Sequence, residues 1–387
     1  MKKILTLAAA MFAALTPAFA DLYVTPTGAG NKDGSSWAHA YAGIQAAVDA
    51  VDAAVAADAN YAIPVIHVAD GTYSRVSITN DIALDVRSVN GAAATVIDGG
   101  GTNNCVAVIT GNYIFSQKPT FTGFTLQNGN VRNQNYDYGG GALGGTLLDC
   151  VIQDCEAWQG GGTYKANTTR CIIRRCDAQS YGGIVAHGIH LNDLMYGNSG
   201  YWGPIYSATL YSCTIADNTA SSSYYSFIES SMARNCIRWN NQIYNYNTEQ
   251  YEPAAQSDPA DPKFVGGGDY HLRAGSPAID DGLEDWQTEA YVGLTDLAGN
   301  ARVQGAKIDR GCYEAADGQG LVGVLVLASA EGNGSVSPAH SFVPVNTTVT
   351  ITADTSTWHR DVTAWKTNGV VVAGATGNSL TFTATGE

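Results

Sequence analysis

Three sets of side chains in this sequence could act on a ligand. His187, His190 and Asp193 lie close together, a grouping of imidazole and carboxylate that can serve as a general base, and Arg174 projects outward one repeat earlier. Against that use, His190 stacks beside Tyr211 and Thr169 and reads equally as a structural residue. Glu156 and Asp177 are two acids one repeat apart, which could hold a cation or simply line a solvated turn. Calcium is the ion such a pair would take, and no other cofactor is called for. The third set is aromatic. Tyr136 and Tyr138, Trp158, Tyr181, Tyr201 with Trp202, and Tyr224 with Tyr225 each stand just before the glycines of a repeat. Rings on a solvated surface bind sugar faces through apolar contact; the same rings could instead cover the edges of their own coils. Residues 133–138 are extra to the repeat and bulge beside the same corner.

What positions these residues is a period of 21 residues from Tyr138 to about Asn241. Gly140, Gly161, Gly182 and Gly203 share one column of the repeat. Cys150, Cys171, Asn192 and Cys213 share another, and Ile152, Ile173, Leu194, Ile215 and Ile237 a third. Such a period marks a solenoid, and this length fits one turn of a parallel β-helix. Residues two apart on a strand face the same side. The Cys and Ile columns therefore face inward, and Gln153, Arg174, Met195 and Ala216 outward. The register sets Asp149 beside Arg170 and Asp154 beside Arg175 as cross-coil ion pairs. It also gives a column Cys155, Cys176, Gly197, Asn218 and Asn240, a short asparagine ladder at a bend.

Composition narrows the setting. The net charge of −15 makes nucleic acid and anionic membrane surfaces unlikely partners. Residues 1–20 have a basic start, an apolar stretch and the ending Ala18-Phe19-Ala20, which is a secretory signal peptide. The expected location is secreted or cell-surface. No later stretch is apolar enough to span a membrane, and a monomer is expected. In an exported chain the stacked pairs Cys150/Cys171 and Cys155/Cys176 could be disulfides or a ladder of buried thiols.

Taken in order, residues 21–63 form a cap whose helix runs from Tyr41 to about Ala57, with Ile44, Val48, Val51 and Val55 on one stripe. Residues 64–316 carry the coils, with 270–314 as the last coils and closure. Residues 321–387 alternate like a small β module. The segments "YVTPTGAGNKDGSSWAHAYAGIQAAVDA", "VIHVADGTY", "RSVNGAAATVIDGG" and "FTGFTLQNG" resemble secreted bacterial right-handed β-helix proteins of the pectin-lyase-like superfamily. "YHLRAGSPAIDDG" and "TDLAGNARVQGAKIDRGCYE" resemble the choice-of-anchor Q domain, and the C-terminal module resembles the internalin B-repeat. The fold implied is an all-β, right-handed parallel β-helix with 21-residue coils, an N-terminal capping helix and a small C-terminal β module. The superfamily holds lyases, hydrolases and adhesins, and its catalytic residues do not map onto this chain. The first reading is a non-catalytic scaffold that binds a polysaccharide or surface glycan. The second is a polysaccharide lyase or glycoside hydrolase.

Overall fold

The computed structural model describes residues 21–387 apart from 81, 109–118, 133–137, 223–225, 255, 284–292, 294, 317–319, 332–333, 355–361, 368 and 386–387. From Val65 to Asn245 the chain winds as a parallel β-helix. One coil shows the plan: Thr146–Leu148 lies in a first sheet, Val151–Gln153 in a second, Glu156–Ala157 in a third and Thr163–Tyr164 in a fourth. Asn167–Thr169 then opens the next coil on the first sheet, in parallel register with Thr146–Leu148. Among the described residues the four sheets hold ten, eight, six and seven strands.

From the coil of Thr146 onward the strands are short because a left-handed residue ends most of them at a corner. Between the first and second sheets these are Asp149, Arg170, Asn192, Ser212 and Asn235, with φ of 53, 52, 55, 50 and 51°. Asp154, Arg175, Gly197, Asp217 and Asn240 do the same after the second sheet, and Lys165, His187, Ser207 and Ser230 after the fourth. Where the third sheet turns into the fourth, Gly139, Gly160 and Gly182 take φ of 66, 67 and 68°. A Cβ on Gly160 would come within 2.4 Å of the Thr163 carbonyl. Corner side chains project outward and stack, so both ion pairs form: Arg170 grips Asp149 at 2.7 and 2.9 Å, and Arg175 grips Asp154 at 2.7 and 2.7 Å. At partly exposed corners each contributes about 0–1 kcal/mol.

The interior departs from an even 21-residue count. Ile152 pairs with Ile173, Ile173 with Met195, and Met195 with Ile215, giving coils of 21, 22 and 20 residues. The buried ladder is therefore Leu126, Ile152, Ile173, Met195 and Ile215. Leu194 and Ile237 sit one position off it, on the outer face with Ile172 and Thr214. The extra residue enters at a bulge between Ala178 and Tyr181. The inward corner column likewise runs Cys150, Cys171, Asp193, Cys213 and Cys236, with Asp193 in the place expected for Asn192. The second corner column is Cys155, Cys176, Asn198, Asn218 and Asn241; Gly197 and Asn240 are the corner residues before it. Asn198 donates to Asn218 Oδ1 at 2.9 Å and Asn218 to Asn241 Oδ1 at 3.0 Å, so the asparagine ladder is real and buried. All eight cysteines are free and buried. Their thiols donate to carbonyls, as Cys155 does to Gln153 at 3.1 Å.

The two ends close differently. The helix Ile44–Ala57 buries Ile44, Ala47, Val48 and Val51 over the first coils; Tyr41–Ala42 is a strand rather than its first turn. At the other end Gln242–Asn245 and Gln250–Pro253 form an antiparallel hairpin. The described residues of 270–314 do not add coils. They fold back over the outer face of the second sheet, where Tyr270 and Cys312 cover Leu194 and Ala216, and Leu272 and Ala278 cover Ile237. This is why Leu194 and Ile237 are apolar although they point outward. The acids Asp296 and Asp309 accept backbone N–H groups in this strap, from Asn300 and Glu314 and from Asp280 and Ala315. They act as turn-stabilising groups. Residues 324–384 build a small antiparallel module around Val326, Val349, Ile351 and Ala384.

Replacing Ile173 by Asp should cost several kcal/mol in urea unfolding, because it places an unpaired charge between Ile152 and Met195. A variant as stable as the parent would show that this position is not interior.

Candidate functional site

The third sheet carries its side chains in two outward columns. Glu156 pairs with Asp177, Asp177 with Ser199, Ser199 with Thr219, and Thr219 with Gln242. Two residues further along each strand is the second column. The N–H of Ser180 bonds to the Trp158 carbonyl and that of Ser221 to the Gly200 carbonyl, both at 2.9 Å, which sets Gln179 beside Trp158 and Ser221 beside Tyr201. Continuing the Thr219–Gln242 register sets Tyr244 beside Ser221. The column therefore reads Trp158, Gln179, Tyr201, Ser221, Tyr244: a ring on every second coil. Trp158 is 45% exposed and Tyr201 42%. Tyr244 packs edge-on against Tyr246 and Tyr251, whose rings are 47% and 50% exposed. Sequence reading found Trp158 and Tyr201 and missed Tyr244. The signal was present, since Trp158, Tyr201 and Tyr244 are evenly spaced at 43 residues.

The other aromatic candidates cluster where the third sheet turns into the fourth. Tyr138 stacks on Tyr164 at 4.3 Å, His187 meets Tyr164 and Tyr206 edge-on at 5.1 and 5.7 Å, and Tyr181 lies 4.4 Å from Tyr206 and 5.2 Å from Trp202. Here the rings cover one another and the fourth sheet, packed with Leu143 and Ala186. The expected single row thus divides: Tyr138 and Tyr181 pack among other rings and Trp158 and Tyr201 face solvent, while Trp202, 5.2 Å from Tyr181 and 5.5 Å from Tyr201, joins the two groups. Tyr136 and Tyr224 lie outside the described residues.

The acidic pair Glu156 and Asp177 does stack, but a guanidinium lies against it. Arg132 reaches Glu156 at 3.3 Å and also pairs with Asp177. Ser199 follows them in the column, and the Asn198 side chain points inward. Among the described residues no group of three or more His, Cys, Asp or Glu is placed to hold a metal ion. Beside Glu156 a groove of about 350 Å³ is lined by Asp98, Gly100, Gly101, Asn128, Asn130, Asp154 and Glu156. Burial pushes the Asp98 carboxyl up, but hydrogen bonds from the Gly100 N–H, Gln127 and Asn128 outweigh it and hold it below the usual range. The Arg175 fork holds Asp154 low.

Of His187, His190, Asp193 and Arg174, only His190 and Asp193 bring their side chains together. Arg174 is on the outer face of the second sheet, donating to Gln153 at 2.8 and 3.0 Å and to the Tyr196 hydroxyl at 2.9 Å. His187 is part of the packed rings. His190 and Asp193 lie inside the helix, both fully buried. Thr168 links them: its hydroxyl is bonded to Asp193 Oδ2 and lies 2.7 Å from His190 Nδ1, while His190 Nε2 lies 3.0 Å from the His187 carbonyl. Asp193 Oδ1 accepts the Cys171 N–H at 2.8 Å, as Asn198 Oδ1 accepts the Cys176 N–H at 2.9 Å in the other corner. A hydroxyl has one proton to give. Either a protonated Asp193 donates to Thr168, which donates to neutral His190, or an imidazolium donates to Thr168, which donates to a carboxylate. The two arrangements hold the same number of protons, and in a dry interior the uncharged one is favoured. Burial accordingly lowers His190 to about 4 and raises Asp193 to about 7. This relay is sealed from substrate and braces a corner.

No protein-family model matches the chain, and no curated protein matches it in sequence. Among solved structures the pectate lyase Pel9A is similar at 14% identity and a TM-score of 0.39, over 76% of this chain and 96% of that one. A pectin methylesterase from carrot is similar at 14% identity and a TM-score of 0.29, covering 58% and 64%. PemA, a pectin methylesterase from Erwinia chrysanthemi, is similar at 11% identity and a TM-score of 0.28, covering 65% and 74%. At these identities no residue role passes from those enzymes to this chain.

The relay fixes a dependence on pH. Unfolded, Asp193 ionises near 3.8; folded, it keeps its proton to about 7, so its contribution to stability is lost as pH rises across that window. His190 acts the other way, losing stability as pH falls from 6.5 to about 4. Asp193→Asn keeps the hydrogen bonds and removes the first effect. Its stability relative to the parent should grow by up to a few kcal/mol between pH 4 and 7, read from urea midpoints. A constant difference across that range would show that the buried carboxyl is not held protonated.

Proposed function

We propose that this chain is an exported β-helix protein that binds a polysaccharide along the outer face of its third sheet without cleaving it. The observation that carries the reading is the column Trp158, Tyr201 and Tyr244, with two rings strongly exposed and a third backed by exposed tyrosines. A pyranose presents C–H groups on its faces, and these pack on an aromatic ring while the hydroxyls stay hydrated. One such contact is weak; several at fixed spacing on a rigid sheet act together, because each bound unit raises the local concentration of the next. The leader-like segment at 1–20 and the resemblances of 270–314 and 321–387 to surface modules belong to this proposal and support a location outside the cytoplasm.

The catalytic alternative has one observation in its favour, the groove lined by Asp98, Asp154 and Glu156. Glycoside hydrolysis needs a carboxyl that keeps its proton near neutral pH. Asp98 and Asp154 are shifted the opposite way, and the carboxyls that burial raises to about 7 and about 8, Asp193 and Glu314, are buried and do not line the groove. Binding without turnover is the better account.

The test is to incubate the mature chain with a panel of neutral and acidic polysaccharides, with and without calcium, measuring retention and released ends in parallel. Retention without release is expected. Trp158→Ala and Tyr201→Ala should each weaken retention several-fold and leave the thermal midpoint within a few degrees of the parent, since both rings are exposed. Release of unsaturated or reducing fragments would move the protein to the enzyme class.

A further inference from the structure

The geometry of this face points to the chemical class of the polymer: we infer that it is an uncharged, extended chain with a two-unit repeat, lying parallel to the helix axis. The inference rests on the binding reading above and adds the identity of the occupant.

Spacing comes first. Coils stack about 4.8 Å apart, so rings on alternate coils are roughly 10 Å apart. That is close to the length of two hexose units in an extended 1,4-linked chain with equatorial bonds. In such a chain each unit is turned over relative to the last, so the same face recurs at every second unit. A ring on every second coil meets that face each time. Coils between the rings carry Gln179 and Ser221 in the same column, an amide and a hydroxyl. These can bond to the hydroxyls at the rims of the alternate units, which present their opposite face. A curved, helical polymer would drift off a straight column after the first ring.

Charge comes second. The column beside the rings holds Glu156 and Asp177, then Ser199, Thr219 and Gln242. Arg132, the cation at its lower end, is already engaged with both acids. At the upper end the hairpin partner of Gln242 is the uncharged Pro253. The chain as a whole carries −15. A polyuronate laid on this face would set its carboxylates against Glu156 and Asp177, with no free cation in the two columns to meet them. Neutral sugars meet hydroxyl and amide partners there.

Length comes third. Trp158 to Tyr244 spans four coil steps, about 19 Å, which accommodates about five sugar units. Affinity should therefore rise with oligomer length and level off near that size.

Titration calorimetry of the full mature chain decides this, with cello-, xylo- and manno-oligosaccharides of two to six units, maltohexaose and hexagalacturonate as probes. One of the neutral extended hexamers should bind, its dimer about tenfold or more weaker, and hexagalacturonate more weakly at low salt than at high. Trp158→Ala or Tyr201→Ala should lower the affinity of that hexamer by about tenfold while barely changing that of the dimer. Preference for hexagalacturonate or maltohexaose, or affinity independent of length, would overturn this inference and leave glycan binding standing. Absence of binding to every probe and to every polymer of the panel would overturn both.

Discussion

A parallel β-helix can turn only where its backbone leaves the extended region, and this chain does so through a left-handed residue at its corners. For a residue with a Cβ that conformation costs about 1–2 kcal/mol, and it is met at corner after corner by Asp, Arg, Asn, Ser, Lys and His. The strain is tolerated because the corner still pairs with the next coil: the N–H groups of Asp149, Arg170 and Asn192 bond to Thr169, Leu191 and Tyr211 carbonyls at 3.0, 2.9 and 3.0 Å. Once the corners are stacked, every column between them is fixed. The rings of the third sheet, the ion pairs outside and the buried polar groups inside all inherit their alignment from these turns.

Just inside the corners the chain solves one problem twice. At both corners, the backbone N–H of a coil needs an acceptor where the strand bends. Asn198, Asn218 and Asn241 supply it at one corner; the amides of Asn198 and Asn218 also donate to the next rung, and that of Asn241 donates back to the Ile215 carbonyl. Asp193 supplies it at the other, among thiols, and must then find a donor or lose its charge. Thr168 and His190 complete it. What looks in the sequence like a catalytic cluster is in the fold a side chain standing in for asparagine.

The coil architecture was legible because stacking imposes a period, and the corner ion pairs followed from it directly. The third coil was not. The bulge near Ser180 lengthens one coil to 22 residues and the next is 20, so the sum conceals the slip. Leu194 and Met195 are both apolar, and Asn192 and Asp193 both polar, so residue type cannot choose between neighbouring registers. Leu194 is apolar because the C-terminal strap covers it, a long-range contact that no local pattern carries. The aromatic row failed to separate for a related reason: Tyr181 and Tyr201 stand on neighbouring strands of one sheet, and the bulge between Ala178 and Tyr181 sets Tyr181 beside Trp202 rather than beside Tyr201.

The even recurrence of Trp158, Tyr201 and Tyr244 makes the protein a ruler. Both ends of the winding are stopped, one by the helix Ile44–Ala57 and the other by the antiparallel hairpin at Gln242–Pro253, so the number of graduations is written into the chain. Such a ruler lengthens only in whole divisions. A duplication of two coils would add one mark in phase with those present; a duplication of a single coil would throw every later mark out of step.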